Sequence, residues 1–363
     1  MAHPPLSSLD VEDLDELALG CAIFGTGGGG EIETGLLGAR RAVREHGPVP
    51  LVSLCDLPDG GLILPLSGVG APTVGSEMLL GDSEPHLIRR TVEETVGASV
   101  VAVMCCEIGG SNGVSSVGWA AQLGLPLIDG DGIGRAFPEL SMTTMNVAGI
   151  PETIAVIADV LGNVTVIRPV TAAWAETIAR SVAVAAGSFV LMADYILPAA
   201  RLRGAIVTGS VSRALRVGRV LPGADDPVAE LITELAAVRL VAGRVVAVER
   251  RTEGGFVRGS VVVEGSAADA GRLLRIEVQN ENLVAFEDGE VRASVPDLIT
   301  VVDSTTAQAI ATESVRYGQR VCVLAWPCDP IWRTAEGLRI AGPRAFGYDL
   351  DFAGVEELAS ARV

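Results

Sequence analysis

Three short apolar runs, at 62–66, 100–104 and 125–128, each break off into a loop rich in glycine, acids or amides, and stretches with helical periodicity lie between them. Runs this short, bounded by turn signals, read as buried strands, and strands that alternate with amphipathic helices build a parallel sheet with helices on its faces. With a further strand at 49–54 and helices expected at 31–44, 87–96 and 116–123, residues 8–170 read as an α/β domain with a largely parallel sheet. Another helix is expected from Pro151, because proline suits a first turn. Beyond residue 243 the pattern becomes a series of short β-type runs, at 245–249, 255–264, 273–278, 283–286, 291–293, 298–302 and 320–325. Residues 171–363 therefore read as a β-rich domain with a few helices.

The consequence for function lies at the strand ends. Open α/β sheets place their ligand crevices outside the carboxyl ends of the strands, and the three loops there carry Glu77, Glu107, Asn112, Asp129 and Asp131. Asp and Asn beside glycine are common turn formers, so each alone has a structural reading. Their coincidence at one end of a sheet favours a site, with Arg135 as a neutralising partner or a clamp on a substrate carbonyl, and Glu139 close by. A glycine run at 25–30 opens a helix, so the backbone N–H groups of Gly27, Gly28, Gly29 and Gly30 could cradle an anion or oxyanion. The same run formally fits a dinucleotide fingerprint and also fits a tight turn. Trp326 and Trp332, in a proline-broken segment, suit either a lid over a flat ring or a plug between domains.

Composition removes several classes. A net charge of −18 opposes nucleic acid and anionic membrane as partners, and no apolar run approaches the ~20 residues of a membrane span. The 27 basic residues are all arginine, which excludes Schiff-base and P-loop lysines. With His3, His46 and His86 the only histidines, a histidine-ligated metal or a Ser-His-Asp triad has little to be built from. The six cysteines show no paired spacing, so a reduced, cytoplasmic protein is expected, acting on a small molecule as a homo-oligomer.

Four segments together carry a family resemblance: Gly25-Thr-Gly-Gly-Gly-Gly30, Glu107-Ile-Gly-Gly-Ser-Asn112, Asp129-Gly-Asp-Gly-Ile-Gly-Arg-Ala-Phe-Pro-Glu139 and Gly342-Pro-Arg-Ala-Phe-Gly-Tyr-Asp349. They resemble the family once called DUF917 and now named for S-methyl-thiohydantoin desulfurase. The resemblance implies an α/β domain followed by a β-rich domain, five-membered cyclic ureides or thioureides as substrates, and a hydantoinase- or oxoprolinase-like enzyme as partner. A hydrolytic desulfurase would then use Asp129 or Asp131 as base, or a divalent metal held by Glu107, Asp129 and Asp131. The glycine N–H groups with Asn112 would stabilise charge, and Arg135 or Glu139 would orient the ring. A thiol route through Cys105 or Cys106 ranks below these. The alternative is a nucleotide- or anion-binding accessory subunit of a hydantoinase-like assembly.

Overall fold

The computed structural model describes residues 7–30, 32–70, 81–253 and 256–360. The chain begins with β1 (Ser8–Leu9), and Asp10 then takes the N–H of Val11 at 2.7 Å while Asp13 returns a bond to the Asp10 N–H at 3.0 Å. That reciprocal cap starts the turn leading into α1 (Leu14–Phe24), which is buried along most of its length. There follow α2 (Ile32–His46), β2 (Val49–Val52), β3 (Leu62–Gly70), α3 (Glu84–Val96), β4 (Val100–Cys105), α4 (Ser111–Leu123) and β5 (Leu127–Asp131). Next come β6 (Ala155–Ala158), β7 (Val164–Ile167), α5 (Ala172–Ala185), β8 (Phe189–Ala193), β9 (Leu197–Pro198), β10 (Val207–Thr208), α6 (Ser210–Arg219) and α7 (Pro227–Leu235).

The first sheet has the order β1-β2-β5-β4-β3-β8-β6-β7, with β10 against β5 and β9 against β3. Its centre is parallel, as the alternation of strand and helix requires: β2 pairs β5, β5 pairs β4 and β4 pairs β3 in the same direction. The remaining strands add antiparallel, including β8 on β3 and β6 on β8. The helix expected from Pro151 is instead strand β6. Its four residues are all buried between β7 and β8, and a short apolar run has the same local pattern whether it is a buried helix turn or a buried strand. Among the described residues no helix is long and apolar enough to cross a membrane.

The second sheet is a curled antiparallel one, built from β11 (Val238–Glu253), β12 (Phe256–Gly265), β13 (Leu273–Gln279), β14 (Glu281–Glu287), β15 (Glu290–Ser294), β16 (Leu298–Asp303) and β17 (Arg320–Trp326). Each expected β-run falls within one of these strands, except that the run at 255–264 begins at a residue outside the described ones. Alternate residues such as Val261 and Val263, Leu274 and Ile276, and Val321 and Val323 point into a separate core, the period of two that a one-sided sheet demands.

The two units are sewn together at the glycine loop. Thr26 C=O accepts from the Asn282 N–H at 2.8 Å, Gly27 C=O from the Thr312 N–H at 2.8 Å, and Ile23 C=O from the Thr300 hydroxyl at 2.9 Å. The proline-broken tryptophan segment is part of this joint. Trp332 is buried, donates its indole N–H to the Ile133 carbonyl at 2.7 Å, and meets the Phe137 ring edge-on at 5.0 Å. It is a plug between the units.

Candidate active site

A cavity of about 580 Å³ opens at the carboxyl ends of β3 and β4, where the glycine loop and the β13–β14 hairpin close over them. Each wall has a local cause. After β4 the chain turns through Gly109 and Gly110 into α4, and these glycines pack on Gly29 so closely that a Cβ on Gly29 would stand 2.4 Å from the Gly109 carbonyl. That close approach brings the first turn of α4, with Asn112, beside Glu107. From the other unit, the backbone reverses at Asn280 (φ +57°) and points Glu281 into the same space. Gly28 makes room for it: a Cβ there would lie 2.1 Å from Glu281 Oε1.

Glu107 and Glu281 are thus two carboxyl groups, one from each unit, on one cavity. Glu107 accepts from Asn112 Nδ2 at 2.6 Å and, weakly, from the Phe137 N–H at 3.4 Å. Asn112 is braced in turn by the Gly68 N–H, which donates to its Oδ1 at 2.8 Å. Burial pushes Glu107 up to about 7, against the pull of those two donors, so near neutrality it exists in both forms. Glu281 is 2% exposed and its Oε2 has no hydrogen-bond partner. Burial and then the charge of Glu107 push it well above the carboxylate range, only partly opposed by Arg135, so its protonated form is favoured over that of a free carboxyl group.

Asp131 and Arg135 are buried beside this space but do not line it. Asp131 Oδ2 accepts from the N–H groups of Gly134 at 2.7 Å, Ile108 at 2.9 Å and Ile133 at 3.1 Å, tying the loop that carries Glu107 to the loop that follows β5. Burial raises it to about 6 in spite of them. Arg135 donates to the carbonyls of Pro296 at 2.8 Å and Asp297 at 2.9 Å, and to Thr26 Oγ1 at 3.0 Å, with its guanidinium 4.3 Å from the centre of the Phe137 ring. It fastens the units together and lends its charge to Glu281. Asp129 stands apart. Its carboxylate takes the N–H and the hydroxyl of Ser212, at 3.0 and 2.7 Å, capping α6 from across the chain.

Of the glycines, Gly29 and Gly30 line the cavity, whereas Gly27 and Gly28 face Thr312, Asn282 and Glu281. Glu139 lines the cavity near Arg180, its carboxyl raised by burial. Glu77 lies outside the described residues. The donor set does not fit a carboxylate-held divalent ion: Asp129 faces Ser212, and Asp131, whose Oδ2 is filled by three N–H groups and whose Oδ1 is buried with no partner among the described residues, does not line the cavity with Glu107. Among the described residues no three His, Cys, Asp or Glu side chains are placed to hold a metal. Cys105 donates to the Glu107 carbonyl at 2.6 Å, and Cys106, on the cavity wall, to Asp194 Oδ1 at 3.7 Å. Burial first and neighbouring carboxylates second push both thiols well above their ordinary range, so neither is a ready thiolate. Behind Cys106, Asp194 Oδ2 and Glu152 Oε1 are buried without partners, and burial raises these acids to about 7 and about 9.

Glu281 is the residue that sequence reasoning missed. Its signal was present in Gln279-Asn280-Glu281-Asn282, an unbroken acid-and-amide run between two β-runs. It looks like a solvated turn, yet Gln279, Glu281 and Asn282 are all buried.

No curated protein matches this chain. A crystal structure of a protein from Chromobacterium violaceum, solved in a structural genomics programme, superposes with a TM-score of 0.81, covering 96% of this chain and 100% of that one at 24% identity. It shares the fold. The sequence itself matches the family described as "S-Me-THD-like, N-terminal domain" over residues 12–169 and "S-Me-THD-like, C-terminal domain" over residues 170–355. Matched from end to end in both halves, the chain belongs to the S-Me-THD-like family.

Proposed function

We propose that this protein is a hydrolytic desulfurase of thiohydantoin-like rings, with Glu107 as general base and Glu281 as general acid. Membership of the S-Me-THD-like family supports a hydantoin-related function. The observation that carries the finer reading is the pair of carboxyl groups in unlike surroundings on one cavity, Glu107 held by Asn112 and raised to about 7, Glu281 buried with an unpartnered oxygen and pushed well above the carboxylate range. Neighbouring acids whose environments separate their protonation states divide the base and acid roles without further groups.

For an S-methylated ring the atoms balance as follows. Glu107 takes a proton from water as its oxygen bonds to the ring carbon bearing sulfur, and Glu281 gives its proton to the adjacent ring nitrogen. The tetrahedral adduct then collapses: its hydroxyl proton returns to Glu281, a carbonyl forms, the C–S bond breaks, and the thiolate leaves with the proton held by Glu107. The products are a hydantoin and a thiol, and both acids are restored. Asn112 keeps Glu107 aimed, and Asp131 and Arg135 act as positioning residues through the loop and the joint.

The alternative of a phosphate or nucleotide cradle gains no support from the site. The N–H groups of Gly25, Thr26 and Gly28 are already donated to the carbonyls of Cys21, Ile23 and Gly25, and the cavity already carries Glu107, Glu139 and Glu281. A thiol-trapping assay with purified protein and S-methylthiohydantoin tests the proposal. Thiol release should appear together with hydantoin, on an acid limb that follows Glu107 near 7. Absence of thiol or sulfide release from any thiohydantoin, on either side of neutrality, overturns it.

A further inference from the structure

The acid pair occupies only one end of the cavity. Helix α4 presents Asn112, Ser115, Trp119 and Gln122 to it, at spacings of three and four residues that form one helix face. From Asn112 to Gln122 is ten residues, about 15 Å at the helical rise. A five-membered ring, roughly 4 to 5 Å across with bonds of ordinary length, fills a third of that. Among the described residues the cavity continues past such a ring.

Along the remaining length two large apolar side chains stand among the polar groups of Thr34, Ser115 and Gln122. Trp119 lies two turns beyond Asn112, about 10 Å along the axis, with Leu37 from α2 on the same cavity. Leu37 is 65% exposed, a large apolar side chain that the chain by itself leaves in water. Beside it Gly38 is open: a Cβ there would meet no atom within 4 Å. At the far end Asp82 accepts from Arg41 at 2.7 Å and from Gln122 Nε2 at 2.9 Å, so the charges there answer one another and call for no ionic ligand.

We infer that the substrate ring carries a bulky apolar substituent, of aryl size or longer, and that Leu37 and Trp119 form the wall that selects it. This rests on reading the acid end as a cyclic-ureide site. Burying an aryl group against such a wall removes apolar surface from water and strengthens binding without touching the reacting carbon.

Calorimetric titration with hydantoin and with 5-benzylhydantoin, neither of which contains sulfur, separates this inference from catalysis. The benzyl compound should bind at least about tenfold more tightly. Gly38→Leu, which fills the open groove, and Trp119→Ala, which removes the wall, should each bring that ratio close to one, with melting curves confirming that both variants fold. Equal affinities in the wild type overturn the inference and leave the ring site standing. A preference that survives both substitutions overturns it too, since the selecting wall must then lie elsewhere. If neither compound binds, the ring reading falls and this inference with it.

Discussion

The end of β5 and the mouth of the cavity both gather carboxylates, and they differ in what those carboxylates touch. Asp129 and Asp131 belong to the most acid- and glycine-rich stretch of the chain, yet each is engaged by backbone: Asp129 by the first turn of α6, Asp131 by three N–H groups that pin two loops. Glu107 has one strong donor, and Glu281, like Asp131 at its Oδ1, has a buried oxygen with no partner among the described residues; the difference is that Glu107 and Glu281 line the cavity and Asp131 does not. A carboxylate bound to fixed N–H donors away from the cavity ties the fold together and cannot reach a reactant. One kept short of partners in a buried place is held near its protonated form and can exchange a proton.

Breaking the acid pair should give the largest effects. Glu107→Gln should lower thiol release by roughly 10³-fold, and Glu281→Gln by roughly 10²-fold, with melting temperatures no lower than wild type, because each change removes a buried ionisable group. Steady-state rates beside melting curves check this, and a Glu107→Gln enzyme of full activity would dissolve the contrast.

Asp131→Ala should cost about 3 kcal/mol in denaturant unfolding, since three buried N–H groups lose their acceptor. A smaller loss would mean that water replaces the carboxylate.

The pH dependence of melting sharpens the same contrast. In the fold Glu107 and Asp194 rise to about 7, Asp131 to about 6 and Glu152 to about 9, so the native state holds protons that the unfolded chain releases. Their contribution is complete below the ordinary carboxylate range and fades as pH climbs through the raised values. Asp159, Asp269 and Asp303 are lowered, by N–H and, for Asp269, arginine partners, and lose their contribution only at lower pH. The melting temperature should therefore fall between about pH 5 and pH 8. A rising curve over that interval would refute the protonated cluster.

The smallest effect is expected where the sequence looked most reactive. Asp129→Ala should cost about 1 kcal/mol, the usual loss for a helix cap, and leave thiol release near the wild-type rate. A collapse in rate would return Asp129 to the chemistry.

The strands at Val100–Cys105 and Leu127–Asp131, the glycine loop before α2 and all the β-runs after residue 243 were legible because their cause is local: period-two or unbroken apolar runs, glycine at sharp turns, acids at helix starts. Strand β6 was not, because four buried apolar residues carry no period of their own. Glu107 and Asn112 could be nominated from their place after β4. The role of each acid could not, because a carboxylate's chemistry depends on its donors, and Ser212 is 83 residues from Asp129 while Glu281 comes from the other sheet. Local patterning thus set the layers and the position of the crevice. Which carboxyl groups are buried short of donors was decided only by the packing of the second sheet on the first, since desolvation and hydrogen-bond partners are properties of the assembled interior and not of any one segment.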